Sequence, residues 1–223
     1  DRIADSVGFA NCATVNPICT PARTALLTGK YTHQIGTLSM SGDLSPQHPT
    51  YMRALQEGGY FTAGIGKFHW LQGWPWQADR GKGHDLVALR DEMKSFGLDY
   101  VWETAGKQLA QRNYCEQMAV LDGKGLLEAY RDHTYARGRN YNEAGKVEFT
   151  GEPWPFDEED YVDILTGDRI IQCIHDRPQD KPFCIFGSFC GPHAPFDPPQ
   201  SYLDQIPVEE VDDFIVAGQE LPP

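Results

Sequence analysis

Twice in this chain a helix-period run of apolar residues leads into a short apolar strand, and each strand ends on a glycine-led loop that carries a histidine. In the first, Thr50 has the chemistry of an N-cap, and Tyr51 to Glu57 place Met52 and Leu55 at helical spacing. Gly58-Gly59 ends that helix, and a strand over 60–65 runs directly into Gly66-Lys67-Phe68-His69. The second begins at Glu158. Tyr161, Ile164, Leu165, Ile171 and Ile174 keep helical spacing, with acids at the N-terminal end. Pro178 to Pro182 make a turn, residues 183–189 form a strand, and Gly191-Pro192-His193-Ala194-Pro195-Phe196 follows. That strand is apolar almost throughout, as a strand covered on both faces should be. Alternation of this kind predicts an α/β fold with a mostly parallel central sheet flanked by helices. Open sheets of that class bind ligands beyond the carboxyl ends of their strands, where both basic loops fall.

A third cluster precedes these two. Asn16-Pro17-Ile18-Cys19-Thr20-Pro21-Ala22-Arg23 reads as a turn that delivers a cysteine to the start of a helix, with Thr20 as N-cap and Gly29 as the stop. Pro21 suits the first helical position, where a missing N–H costs nothing. Cys19 then sits by free backbone N–H groups at the positive end of a helix, and Arg23, one turn on, can reach back to it. A nucleophile, a positive helix end and an arginine suit an anionic substrate. Residues 9–15 read as a strand leading to this turn, and 1–8 as the end of a helix. His33, in the segment leaving the nucleophile helix, is a weaker candidate for lining the site.

Composition narrows the function. The net charge of −13 argues against general nucleic-acid binding, and attraction for an anion must come from a local cluster of Arg, Lys and His. No apolar run approaches membrane-spanning length. The six cysteines show neither a Cys-x-x-Cys pair nor zinc spacing, and Cys173, Cys184 and Cys190 read as buried free thiols. Residues 70–156 are less regular, hold all five tryptophans and have one helix pattern near Leu126 to Tyr135. This stretch reads as an insertion that walls the organic part of a substrate, although any single tryptophan is more simply a packing residue. The chain opens and closes without natural terminal elements, so a segment of one longer catalytic domain, incomplete at both ends, is expected over 1–223.

Cys19-x-Pro21-x-Arg23, with Leu27 and Gly29 following, resembles the signature of the type I sulfatases of the alkaline-phosphatase-like superfamily. Gly66-Lys67-Phe68-His69 resembles that family's Gly-Lys-Trp-His element, with Phe68 for the tryptophan. Pro192-His193-Ala194-Pro195-Phe196 resembles its Pro-His-x-Pro-Phe element. The three occur in the family's order. The resemblance implies a sulfuric-ester hydrolase in which a maturation enzyme oxidises Cys19 to formylglycine, whose hydrate attacks sulfur and later releases sulfate as the aldehyde re-forms. It gives Arg23 the hydrate oxygen, and Lys67 both the hydrate and a sulfate oxygen. It makes His69 the base that triggers elimination, and gives His193 a sulfate oxygen near the leaving group. It also implies a divalent metal, most simply Ca²⁺, bound by hard oxygen ligands. Here the sequence departs from the pattern. No Asp-Asp pair precedes Cys19, the downstream Asp-Asn pair is absent, and Asp212-Asp213 lies in an acidic tail. Only Cys19, once converted, carries over as a ligand, so the chain alone is expected to be inactive. The resemblance slightly favours a periplasmic or secreted setting over a cytoplasmic one, which stays open, and implies a small-molecule or carbohydrate sulfate ester. A phosphonate monoester or phosphodiester hydrolase of the same superfamily is the near alternative. A hydrolase using Cys19 as a thiolate would leave Arg23 and Lys67 without a duty.

Overall fold

A computed structural model describes residues 7–40, 43–71, 81–137 and 152–207. Its centre is strand β1, Phe61–Lys67, which pairs in parallel with β2, Tyr100–Thr104, on one side and β3, Phe183–Ser188, on the other. The register sets Gly66 opposite both Glu103 and Ser188, so all three strands end at one edge. β1 is buried along nearly all its length, and its small residues are the reason neighbours can lie flat on it. A Cβ on Gly64 would already press on Leu98 and Phe68 at 3.0 Å.

Helices flank this sheet, as the alternating pattern predicts. α1 is Cys19–Thr28, α2 Thr32–Ile35, α3 Tyr51–Glu57 and α4 Arg90–Lys94. α5 is Glu116–Gly123, α6 Leu127–Arg137, α7 Val162–Asp176 and α8 Gln200–Leu203. Thr50 caps α3 as expected, its hydroxyl accepting from the Arg53 N–H at 3.0 Å. Phe68, Trp70 and Phe96 are fully buried in the core between α3 and the sheet. A second core gathers α5, α6, Trp154 and Tyr161 beyond the ends of β2.

Several expectations change. Residues 9–15 form no strand: Phe9 is 80% exposed and nothing among the described residues pairs with them. Thr20 is not the cap of α1. Ile18 holds that place, Cys19 is the first helical residue, and Thr20 is buried in the first turn. An Asx turn sets the entry instead, with Asn16 Oδ1 accepting from the Ile18 N–H at 2.9 Å. Pro21 is the third helical residue rather than the first, still within the first turn, where no intrahelical N–H bond is lost. The stretch 70–156 is more regular than its composition suggests, because β2 is one of the sheet's own strands. β3 is only half-buried, since β1 alone flanks it among the described residues. Cys184 is therefore half-buried, whereas Cys173 and Cys190 are buried and all six cysteines are free. Ile171, on the apolar stripe of α7, is likewise exposed. Residues 1–6, Trp74, Trp76 and Asp212-Asp213 lie outside the described residues.

Candidate active site

The three sequence clusters meet at the carboxyl edge of the sheet. Cys19, Lys67, His69 and His193 line one cleft, together with Met40 and residues 105–109 of the loop after β2. α1 places Cys19 at its first turn, half-buried, at the end of the helix that carries uncompensated N–H groups. Lys67 closes β1 and is almost fully buried. Burial lowers its pKa first, and the Cys19 side chain opposes that shift. Gly106, at a φ of 77°, lets the β2 loop lie against this lysine, since a Cβ there would come within 3.2 Å of the Lys67 side chain.

Arg23 joins the strand ends to α1. Its Nη1 donates to the Lys67 carbonyl at 2.8 Å and to the Ser188 hydroxyl at 2.7 Å. The sequence pointed to Arg23 but not to Ser188, a lone serine at the end of an apolar run.

His69 is buried, with a positive φ of 58° that few non-glycine residues adopt. Its Nε2 lies 3.1 Å from the Ala105 carbonyl, which can only accept, so Nε2 carries the proton. Nδ1 is buried without a partner, which leaves a free lone pair. Burial is the main reason the imidazole pKa is pushed down to about 3, with the Lys67 charge next. His69 is therefore a neutral base at any ordinary pH. As pH falls below 6.5 the unfolded chain takes up a proton that folded His69 refuses. The stability His69 contributes is thus present above pH 6.5 and drains away towards pH 3. Urea unfolding should show a loss of roughly 3 kcal/mol between pH 7 and 4.5 from this group. His69→Gln, which can still donate to Ala105, should lack that part of the loss; equal pH dependence in both proteins would contradict the buried neutral ring.

His193 Nδ1 lies 2.6 Å from the Ala194 carbonyl and donates to it, leaving the other ring nitrogen for Cys19. The hydrogen bond with His193 is the first cause that lowers the Cys19 thiol to about 7; burial opposes it, and Lys67 and Arg23 add to it. The peptide bonds before Pro192 and Pro195 are both cis. His33, by contrast, is exposed on α2, stacked on Tyr31 at 5.8 Å, and does not line the cleft. Trp102 and Trp154 are buried in the cores rather than presented to a ligand.

A calcium ion would need several carboxylate or carbonyl oxygens. Among the described residues, the carboxylates close enough to share an ion are Asp157, Glu159 and Asp160, and none of them lines the Cys19 cleft. Lys124 Nζ lies 2.7 Å from Glu159 and 2.8 Å from Asp160, supplying the positive charge an ion would bring. The described cleft does not by itself make a calcium site.

Comparison with known proteins finds relatives along nearly the whole chain. The sulfatase family model matches residues 4–213. The chain is 26% identical over 204 residues to an N-acetylglucosamine-6-O-sulfatase of Bacteroides thetaiotaomicron, covering 91% of this chain and 27% of the relative. It is 24% identical over 212 residues to an arylsulfatase of Clostridium perfringens, covering 93% and 40%. The chain thus spans about a quarter to two-fifths of these two curated relatives. Among solved structures, a phosphonate monoester hydrolase of Agrobacterium radiobacter superposes with a TM-score of 0.57 at 18% identity, over 90% of this chain and 37% of its own. A protein solved in complex with its substrate D-glucosamine-2-N,6-O-disulfate superposes with a TM-score of 0.51 at 23% identity, over 87% and 29%. These likenesses establish the alkaline-phosphatase-like fold, and the match along nearly the whole sequence establishes more: this chain belongs to the sulfatase family.

Proposed function

We propose that the protein to which this chain belongs hydrolyses a sulfate monoester, with Cys19 as the precursor of its nucleophile. The observation that carries this reading is the convergence of Cys19, Lys67, His69 and His193 in one cleft, with Arg23 bonded to its floor. Conversion of Cys19 to formylglycine by a maturation enzyme would supply a hydroxyl nucleophile and a route for releasing sulfate by elimination. The chain's own residues then have separate duties. Lys67 and Arg23 hold negative charge where it accumulates on the sulfuryl oxygens and the nucleophile. His193, with Nδ1 donating to Ala194, delivers the proton the departing alkoxide needs from its other nitrogen as the imidazolium, the form that carries a proton on both ring nitrogens. His69 Nδ1, neutral and unpartnered, accepts the proton lost in the release step.

Sulfatases are generally metal-dependent. The ion we assign to the whole protein is calcium, held by oxygen ligands that the described cleft lacks. A carbohydrate sulfate is the substrate class best supported, because the N-acetylglucosamine-6-O-sulfatase matches 91% of this chain. The phosphonate hydrolases that share the fold define the second reading. The test is a side-by-side assay of the full-length protein, co-expressed with a maturase, on 4-nitrophenyl sulfate and on 4-nitrophenyl phenylphosphonate. A kcat/KM at least about tenfold higher on the sulfate is expected. Higher efficiency on the phosphonate would replace the sulfatase assignment.

A further inference from the structure

We propose that Lys107 is a positioning residue that fixes His193, and that it does not bind the substrate's anionic group. Its activity arm rests on the sulfatase reading above.

Lys107 lies in the loop after β2 and lines the same cleft as Cys19, Lys67 and His193. A cation there would ordinarily be taken for an anion ligand. Its bonds say otherwise. An ammonium has three N–H donors and no acceptor. Lys107 Nζ donates to Tyr161 Oη at 2.6 Å, to Asp197 Oδ1 at 2.7 Å and to the Pro195 carbonyl at 3.0 Å. All three donors are used. Its charge is met by Asp197, and both side chains are nearly inaccessible, at 5% and 3% exposure. The Tyr161 ring adds a further contact, its centroid 4.8 Å from Nζ. Asp197 is held in turn from its other oxygen, 3.4 Å from His133 Nε2. Although burial opposes it, the bonds to Asp197 and Tyr161 raise the Lys107 pKa, so the ammonium persists.

What this knot grips is the carboxyl side of the His193 loop. Pro195 and Asp197 follow the histidine by two and four residues. On the amino side, the N–H groups of Cys190 and Gly191 donate to the two carboxylate oxygens of Asp163, at 2.6 and 2.9 Å. Asp163 belongs to the first turn of α7, and Lys107 to the loop after β2. The catalytic loop is therefore pinned at both ends by different elements, and Lys107 is its downstream pin. A group that must meet a leaving oxygen loses effectiveness with displacements of about an ångström.

Lys107→Met keeps the apolar stem and removes the three donors. Because it leaves the Asp197 carboxylate buried without the Lys107 charge, the double variant Lys107→Met/Asp197→Asn is made beside it. Two measurements are made on the matured full-length protein. In the first, kcat and KM are followed over aryl and alkyl sulfates of graded leaving-group acidity. Misplacement of His193 should lower kcat about 100-fold on alkyl sulfates and less than about 10-fold on 4-nitrophenyl sulfate, with KM within about threefold. A rise in KM shared by all substrates, with kcat kept, would mean that Lys107 binds the anion and would overturn the proposal. The second is independent of any substrate. The ¹⁵N ring signals of His193, identified by their loss in His193→Gln, should shift in the double variant. Unchanged signals would overturn the positioning role. Shifted signals in a protein whose parent cleaves no sulfate ester would uphold the pin while removing the sulfatase reading.

Discussion

Cys19→Ala should lower the turnover of the matured full-length protein by roughly four orders of magnitude or more, because a covalent route is lost and not merely a binding contact. Stability should change little, since the side chain is half-buried and the helix start is held by Asn16 and backbone bonds. The same position separates the two nucleophile chemistries. An unconverted Cys19 thiol, lowered to about 7 chiefly by its hydrogen bond with His193, should be alkylated readily by iodoacetamide at neutral pH. The matured protein should keep its activity through that treatment. A mass spectrum of the tryptic peptide from Ile3 to Arg23 should show the cysteine sulfur replaced by an aldehyde oxygen. Activity that tracks an intact thiol and dies on alkylation would establish a thiolate enzyme instead.

The largest structural effect is expected from Gly66→Ala. Gly66 has a φ of 107°, and a Cβ would sit 2.0 Å from the Ser188 carbonyl oxygen, with the Thr166 methyl on its other side at 3.2 Å. Neither neighbour can yield, because Ser188 is backbone in β3 and Thr166 is fully buried. β1 and β3 would have to part at the point where Arg23 bonds to both. The cost should be about 4 kcal/mol or more, enough to abolish soluble expression. Gly59→Ala is the matched control. Its φ is also positive, at 87°, but nothing lies within 4 Å of the added methyl, so about 1 kcal/mol is expected. Urea unfolding of the two variants measures the contrast, and similar midpoints would mean that the β1–β3 register is not as described.

Legibility in the sequence followed the length and regularity of each element. α3, β1 and α7 announce themselves by their apolar patterns, α3 also by its Thr50 cap, because burial demands such patterns. β2 does not. It has five residues, carries Glu103, and stands amid charged and aromatic residues that mask it. Phe9 to Val15 had the apolar content of a strand but found no partner among the described residues, and a strand exists only as part of a sheet. Within the site, Cys19, Lys67, His69 and His193 could be singled out because each lies within three residues of a Gly or Pro in a patterned stretch. Lys107 and Asp163 could not. A lysine in an irregular stretch and an acid in a helix's first turn have ordinary readings, and only three-dimensional pairing shows that both grip the His193 loop. The glycine before Lys107 was the sole local hint.

The bonds of Arg23 carry a consequence for the order of folding. The setting of Cys19 is local: the Thr14–Asn16 turn, the Asx bond to Ile18 and the first turns of α1 lie within a few residues of it. The cationic surroundings are not, since Arg23 finds its partners 44 and 165 residues along the chain. Local contacts form early, while pairings across such separations wait for loop closure. A growing chain therefore passes through an interval in which the Cys19 turn is formed but its cleft is not. Any enzyme that must reach that side chain meets it most openly then, before β3 arrives and Arg23 locks the strand ends together.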